Sequence, residues 1–137
     1  RSGGKALRFY ATLELWTSIK RKLTKSVKDK DRKIGIVAEI QVKKNRLQGR
    51  EPIVHVPILD RTGIDDTGGC VDFLVEEKHW PEAKGVIDAA DMNLKGRRET
   101  IVQRIEVENR ERELRDIVAG VWLDIDDACR LERKKRY

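Results

Sequence analysis

Alternation of apolar and polar residues in the first third of the chain constrains its fold more than any other feature. Between Ala6 and Ile19, residues Leu7, Phe9, Ala11, Leu13 and Leu15 occupy every second position, with Arg8, Tyr10, Thr12, Glu14 and Trp16 between them. A period of two sends consecutive side chains to opposite faces of an extended backbone, so the run predicts a strand with one apolar face. The period returns over residues 34–45, where Ile34, Ile36, Ala38, Ile40 and Val42 share one face and Glu39, Gln41 and Lys43 the other. Residues 20–33, dominated by Lys, Arg and Asp, suit an exposed connection, and the whole reads as an antiparallel hairpin. A third strand, Ile53–Leu59, follows the turn Gly49-Arg50-Glu51-Pro52. Pro57 lacks an N–H and so predicts an edge position.

After residue 60 the period changes. Cys70, Val71, Leu74 and Val75 repeat at helical spacing, and Trp80-Pro81 is expected to end that helix. A looser segment runs to Gly96. Arg97 to Val118 predicts one long helix with Ile101, Ile105, Leu114, Ile117 and Val118 as its apolar set, continuing from Val121 to about Arg133 after a break near Gly120. The basic end, Arg133 to Tyr137, is expected to fray. The expected class is α+β: residues 1–62 form an antiparallel hairpin and meander, and residues 63–137 form a helical lobe. Three strands alone are marginal, so the apolar strand face predicts membership of a larger sheet. Together with the lack of a starting Met, this leads us to expect a fragment or processed piece, its missing strands lying before Arg1 or in another chain.

Charge is unevenly distributed. Residues 1–50 hold 15 Lys/Arg against 4 Asp/Glu, a balance of +11, while residues 51–137 hold 15 against 20, a balance of −5. A concentrated positive half attracts nucleic acid, nucleotide phosphate or an anionic surface. No run of about 18 uncharged apolar residues exists to span a membrane. Two cysteines, Cys70 and Cys129, make no disulfide framework, and no signal peptide precedes them, so a reducing, cytoplasmic setting is expected. The segment Gly63 to Cys70 mimics a phosphate loop in its glycines but has Gly69 where the phosphate-binding Lys belongs and Cys70 where the hydroxyl belongs; Asp65 and Asp66 would repel phosphate. Cys70, Cys129, His55 and His79 lack metal-ligand spacing, so no metal site is expected. Glu39 and Lys43 on one strand have the pattern of a metal-dependent nuclease, which would need Asp29 or Asp31 as a further ligand.

The run Gly3-Gly4-Lys5-Ala6-Leu7-Arg8-Phe9-Tyr10-Ala11 is similar to the segment by which the bacterial RecA recombinases, phage-type members included, leave their second DNA-binding loop and enter a core strand. Lys43-Lys44-Asn45-Arg46 resembles the Lys-Asn-Lys motif ending that family's next long strand, and Ile58–Val75, with Gly63-Ile64 and Val71-Asp72, resembles the passage into its C-terminal lobe. The resemblance covers residues 3–80 and weakens beyond them. It implies the C-terminal strands of a larger RecA-like α/β P-loop sheet, followed by a lobe. It further implies an ATP-dependent DNA strand-exchange protein that forms homo-oligomeric filaments on single-stranded DNA and pairs it with double-stranded DNA. ATP and Mg²⁺ would be held mainly by residues outside this chain, with no catalytic residue within it. Lys44 and Arg46 would reach a neighbouring subunit's ATP in trans, Gly3, Gly4 and Lys5 would approach DNA, and Arg8 and Phe9 would lie at the subunit interface. Arg46 stands where the family more often has Lys, which keeps the charge and changes the donor geometry. Two readings compete with this one: a standalone basic DNA-binding module with a helical oligomerisation tail, and the nuclease built on Glu39 and Lys43.

Overall fold

The computed structural model describes residues 4–133, which form an α+β chain in two compact units divided after Asp66. Elements run α1 (Gly4–Tyr10), β1 (Leu13–Val27), β2 (Lys30–Asn45), β3 (Ile53–Leu59), β4 (Gly63–Ile64), α2 (Asp66–Glu76), β5 (Glu82–Ala83), β6 (Val86–Ala89), β7 (Leu94–Gly96), α3 (Arg98–Val107) and α4 (Glu111–Ala128), with a short 3₁₀ turn at Ala90–Met92.

The first unit is one antiparallel sheet in the order β1-β2-β3-β4. Two differences from the sequence expectation stand out. The strand expected over residues 6–19 is split: its first part is helix α1, and extended structure begins only at Leu13. Ala6, Leu7 and Arg8 are strong helix formers, and among the described residues no strand pairs with them in a ladder, so local propensity overrides the period. The charged run 20–33 is not a loop. Both strands continue through it to a two-residue turn at Lys28-Asp29, whose φ values of 53° and 57° are those of a tight hairpin turn. A ribbon solvated on both faces needs no apolar alternation, and this leaves no period to read.

Three bulges interrupt the β1–β2 ladder, at Lys20, Ile34 and Lys43, each the extra residue where the register shifts. They set which side chains share a face. Leu15, Thr17 and Ile19 lie opposite Val42, Ile40 and Ala38, and with Val54, Val56 and Ile58 of β3 they make an apolar face. Trp16, Ser18, Glu39, Gln41 and His55 occupy the other face. Beyond the Lys20 bulge, odd-numbered Arg21 and Lys25 lie on the Trp16 face rather than the apolar one. Leu15 and Ile19 remain 57% and 62% exposed, so the described residues of this unit leave their side of the apolar face open. Gly35 is required where it stands, because a Cβ there would lie 2.3 Å from the Ile58 carbonyl oxygen. The Pro57 carbonyl accepts from the Asp65 N–H at 3.0 Å, so its backbone faces away from β2, where the missing N–H breaks no bond to that strand.

The second unit has its own core of Val71, Leu74, Trp80, Ile87, Ala89, Met92, Leu94, Ile101, Ile105 and Leu114, none more than 5% exposed. The loose segment before Gly96 is in fact a small antiparallel sheet, β5-β6-β7, whose strands are too short to show a period. The single helix expected over 97–118 is two helices. The chain breaks at Asn109, not near Gly120, through which α4 runs uninterrupted. Asn109 adopts φ 53°, its N–H bonds the Glu106 carbonyl at 3.2 Å, and the Arg110 N–H bonds that of Ile105 at 2.9 Å. That pairing of a left-handed residue with two back-reaching bonds is a Schellman stop, and Asn tolerates it better than most residues. Lys78, at φ 60°, ends α2 in the same way, ahead of Trp80-Pro81.

Candidate nucleotide and nucleic-acid interface

Helix α1 and the end of β2 come together through Lys44 and Arg46. The bulge at Lys43 places Lys44 opposite Glu14, on the Trp16 face. Just beyond, Asn45 builds a side-chain turn: its Oδ1 accepts from the Leu47 and Gln48 N–H groups at 3.0 and 3.2 Å, and its Nδ2 donates to the Arg50 carbonyl at 3.1 Å. The Arg46 N–H donates to the Thr12 carbonyl at 3.0 Å. These bonds aim both cations at the last turn of α1. Lys44 Nζ donates to the carbonyls of Arg8 and Phe9, and Arg46 Nη2 donates to the same Phe9 oxygen at 2.5 Å while its guanidinium lies 5.7 Å from the Phe9 ring. Helix carbonyls at a C-terminus carry partial negative charge and lack intrahelical donors, so cations are stabilising there.

A second layer steadies this corner. Glu14 accepts from Trp16 Nε1 at 2.7 Å and pairs with Arg8 Nε at 3.1 Å. The Trp16 bond, then Arg8 and the charge of Lys44, hold the Glu14 carboxyl below its ordinary range. Lys43 Nζ stands 5.6 Å from the Trp16 ring and the Arg8 guanidinium 6.0 Å from it.

Of the site residues expected from sequence, Arg8, Phe9, Lys44 and Arg46 therefore meet in one place. Gly4 and Lys5 sit at the opposite end of α1, about 5–8 Å away along the axis of this seven-residue helix at 1.5 Å per residue. Gly3 lies outside the described residues. Glu39, on the same sheet face, has its carboxylate 3.3 Å from His55 Nε2, and Lys20 Nζ lies 2.9 Å from the same nitrogen. Lys43 is directed to Trp16 rather than to Glu39. Among the described residues no group of three or more His, Cys, Asp or Glu side chains is placed to hold a metal, and no helix is long and apolar enough to cross a membrane. Asn45, Glu14 and Trp16 escaped sequence reasoning as parts of the site. An Asn at the end of a strand and ahead of a Gly is the one signal that could have pointed to the turn.

Two cationic donors converging on one oxygen can hold a phosphate oxygen equally well, since charge-assisted bonds to an anion are roughly twice as strong as neutral ones. No protein-family model matches the chain. Protein RecA of Mesorhizobium japonicum is 37% identical to it over 75 residues, which make up 55% of this chain and 20% of that protein. Protein RecA of Lactococcus lactis subsp. cremoris is 33% identical over 75 residues, 55% of this chain and 19% of that protein. The matched stretch thus spans about a fifth of the length of these curated relatives, and over that stretch the chain is RecA-like.

Proposed function

We propose that this chain is the C-terminal part of a RecA-like, ATP-dependent DNA strand-exchange recombinase, which binds single-stranded DNA and completes a neighbouring subunit's ATP site. The observation that carries the reading is the convergence of Lys44 and Arg46 on a single acceptor at an exposed strand end. In an assembly, phosphate oxygens of the neighbour's ATP would compete with the α1 carbonyls for these cations. Winning them would remove the cations from the C-terminal end of a helix whose other end carries Gly4 and Lys5. Nucleotide binding at one end and DNA contact at the other would then be linked, and linkage is reciprocal. ATP supplies the phosphates and Mg²⁺ their charge neutralisation; this chain's part is to donate from Lys44 and Arg46. The open side of the apolar face, with Leu15 and Ile19, would be covered by the rest of the core in the intact protein.

DNA-dependent ATPase and filament assembly of the intact protein test this. Lys44→Ala and Arg46→Ala should each abolish DNA-stimulated hydrolysis while circular dichroism stays unchanged. Hydrolysis at the native rate in both variants refutes the reading. A second reading, the self-contained basic DNA-binding module, is favoured by the cationic ribbon of β1 and β2. It requires DNA binding that is indifferent to ATP.

A further inference from the structure

Glu14 puts a negative charge where a phosphate site would be stronger without one. The extra residue at Lys43 brings Lys44 opposite Glu14 in the β1–β2 ladder. Both oxygens of the carboxylate are held: Oε1 accepts from Trp16 Nε1 at 2.7 Å, and Oε2 accepts from Arg8 Nε at 3.2 Å. Trp16 has cations of its own, with Lys43 Nζ and the Arg8 guanidinium 5.6 and 6.0 Å from its ring. A fixed anion thus stands beside Arg8, Lys43 and Lys44, and Lys44 shares the Phe9 carbonyl with Arg46. The Glu14 side chain is 17% exposed against 65% for Arg8, so water screens this carboxylate poorly. An ion pair to a largely exposed Arg adds little to stability, so the fold alone does not call for an acid here. Its charge acts instead on any anion that approaches Lys44 and Arg46.

We propose that Glu14 is an electrostatic restraint on phosphate binding at the Lys44–Arg46 corner, setting how much phosphate charge is needed to draw both cations from the α1 carbonyls. The proposal rests on the reading above of these cations as phosphate donors. Glu14 is then a positioning residue, which acts through Arg8 and Lys44 and does not touch the nucleotide. Adjacent strands lie about 4.8 Å apart, so phosphate bound beyond Lys44 would stand about 8 Å from the Glu14 carboxylate. At that separation one carboxylate opposes one phosphate charge by about two- to thirtyfold in affinity, between the dielectric of bulk water and that of a protein surface. The cations thereby stay on α1 until a neighbouring subunit brings phosphate to them, rather than capturing free anions.

The test is calorimetric titration of the full chain with inorganic tripolyphosphate, without DNA, at low salt where charges are least screened. Glu14→Gln keeps an acceptor for the Trp16 N–H and removes the charge, and it should bind about two- to thirtyfold tighter. A variant that merely loosened the corner would bind more weakly, so a gain reports the charge itself. Glu14→Asp keeps the charge and should stay near the native affinity. Glu39→Gln removes a carboxylate of the same sheet face that lies against His55, and it should leave affinity unchanged. Lys44→Ala should weaken binding. Native or weaker affinity in Glu14→Gln overturns the proposal, as do equal gains in Glu14→Gln and Glu39→Gln, or a gain in Glu14→Asp that matches Glu14→Gln. If Lys44→Ala is weakened, each of those results leaves the corner standing as a phosphate site. Native affinity in Lys44→Ala removes both the proposal and that reading.

Discussion

Replacing Gly35 by Ala tests the tight approach of β3 to β2. A Cβ at this position would lie 2.3 Å from the Ile58 carbonyl oxygen, 3.1 Å from the Leu59 Cα and 3.2 Å from the Ile58 carbonyl carbon. Carbon and oxygen atoms of adjacent strands normally approach no closer than about 3.3 Å, so β3 must retreat by about 1 Å. Every contact is backbone, and no side chain can rotate away. A retreat of that size carries an N–H···O bond past its useful limit of about 3.2 Å. The Gly35–Leu59 and Ile36–Ile58 pairs stand at that end of the ladder. Losing one or two bonds at about 1 kcal/mol each, with about 1–3 kcal/mol of overpacking strain, gives a cost of about 2–5 kcal/mol. Gly120→Ala is the control. It lies inside α4 with nothing within 4 Å of a new Cβ, and it should gain about 0.5–1 kcal/mol from reduced backbone entropy. Urea-dependent hydrogen exchange read peptide by peptide would separate the two units. Gly35→Ala should raise exchange over residues 34–41 and 53–59, and Gly120→Ala should lower it over α4. Native protection of the β2–β3 peptides in Gly35→Ala would refute the argument.

Other outcomes follow from the same physical reasoning. Leu74→Ala empties a fully buried position in the second unit's core and should cost about 2–5 kcal/mol in urea unfolding; a cost below about 1 kcal/mol would mean that core is not tightly packed. Asn109→Val places a β-branched residue at φ 53° and should destabilise the unit by about 1–2 kcal/mol, whereas Asn109→Gly should be neutral or better. Asp91 accepts from His79 Nε2 at 2.5 Å and from Trp80 Nε1 at 3.3 Å. The His79 bond first, then Trp80, holds its carboxyl below the ordinary value of 3.8. A depressed carboxylate stabilises above its unfolded pKa and loses that stabilisation as pH falls through the folded one. The Trp80 indole N–H resonance should therefore show an acid transition below about pH 4, and Asp91→Ala should remove that transition.

Legibility tracked how many physical demands each segment satisfies at once. β3 and the Ile36–Val42 part of β2 are plain in the sequence because their alternation is enforced by an apolar face and a polar one. The distal ribbon is hidden because it buries neither face, and α1 is hidden because a helix with no buried residue leaves no helical period. Ile101, Ile105 and Leu114 are readable as core positions, yet the turn at Asn109 between them is invisible to periodicity and turns on one residue's tolerance of a left-handed backbone. At the candidate site, the motif containing Lys44 and Arg46 is legible from family resemblance. The turn that aims them depends on Asn45 side-chain bonds, and their partners on α1 lie more than 30 positions away, beyond any local pattern.

The extra residue at Lys20 also governs how this ribbon can change length. Before it, odd-numbered positions of β1 look toward the apolar side; after it, they look the opposite way. Deleting Lys20 itself would merely straighten the ladder and leave every later side chain where it was. Deleting Lys22, a single step further on, would swing the whole remaining strand over, trading Lys25 for Thr24 and Ser26. One-residue indels are thus absorbed at the irregularity and disruptive beyond it, and divergent copies of such a chain should vary in length by single residues there and by matched pairs toward the hairpin tip.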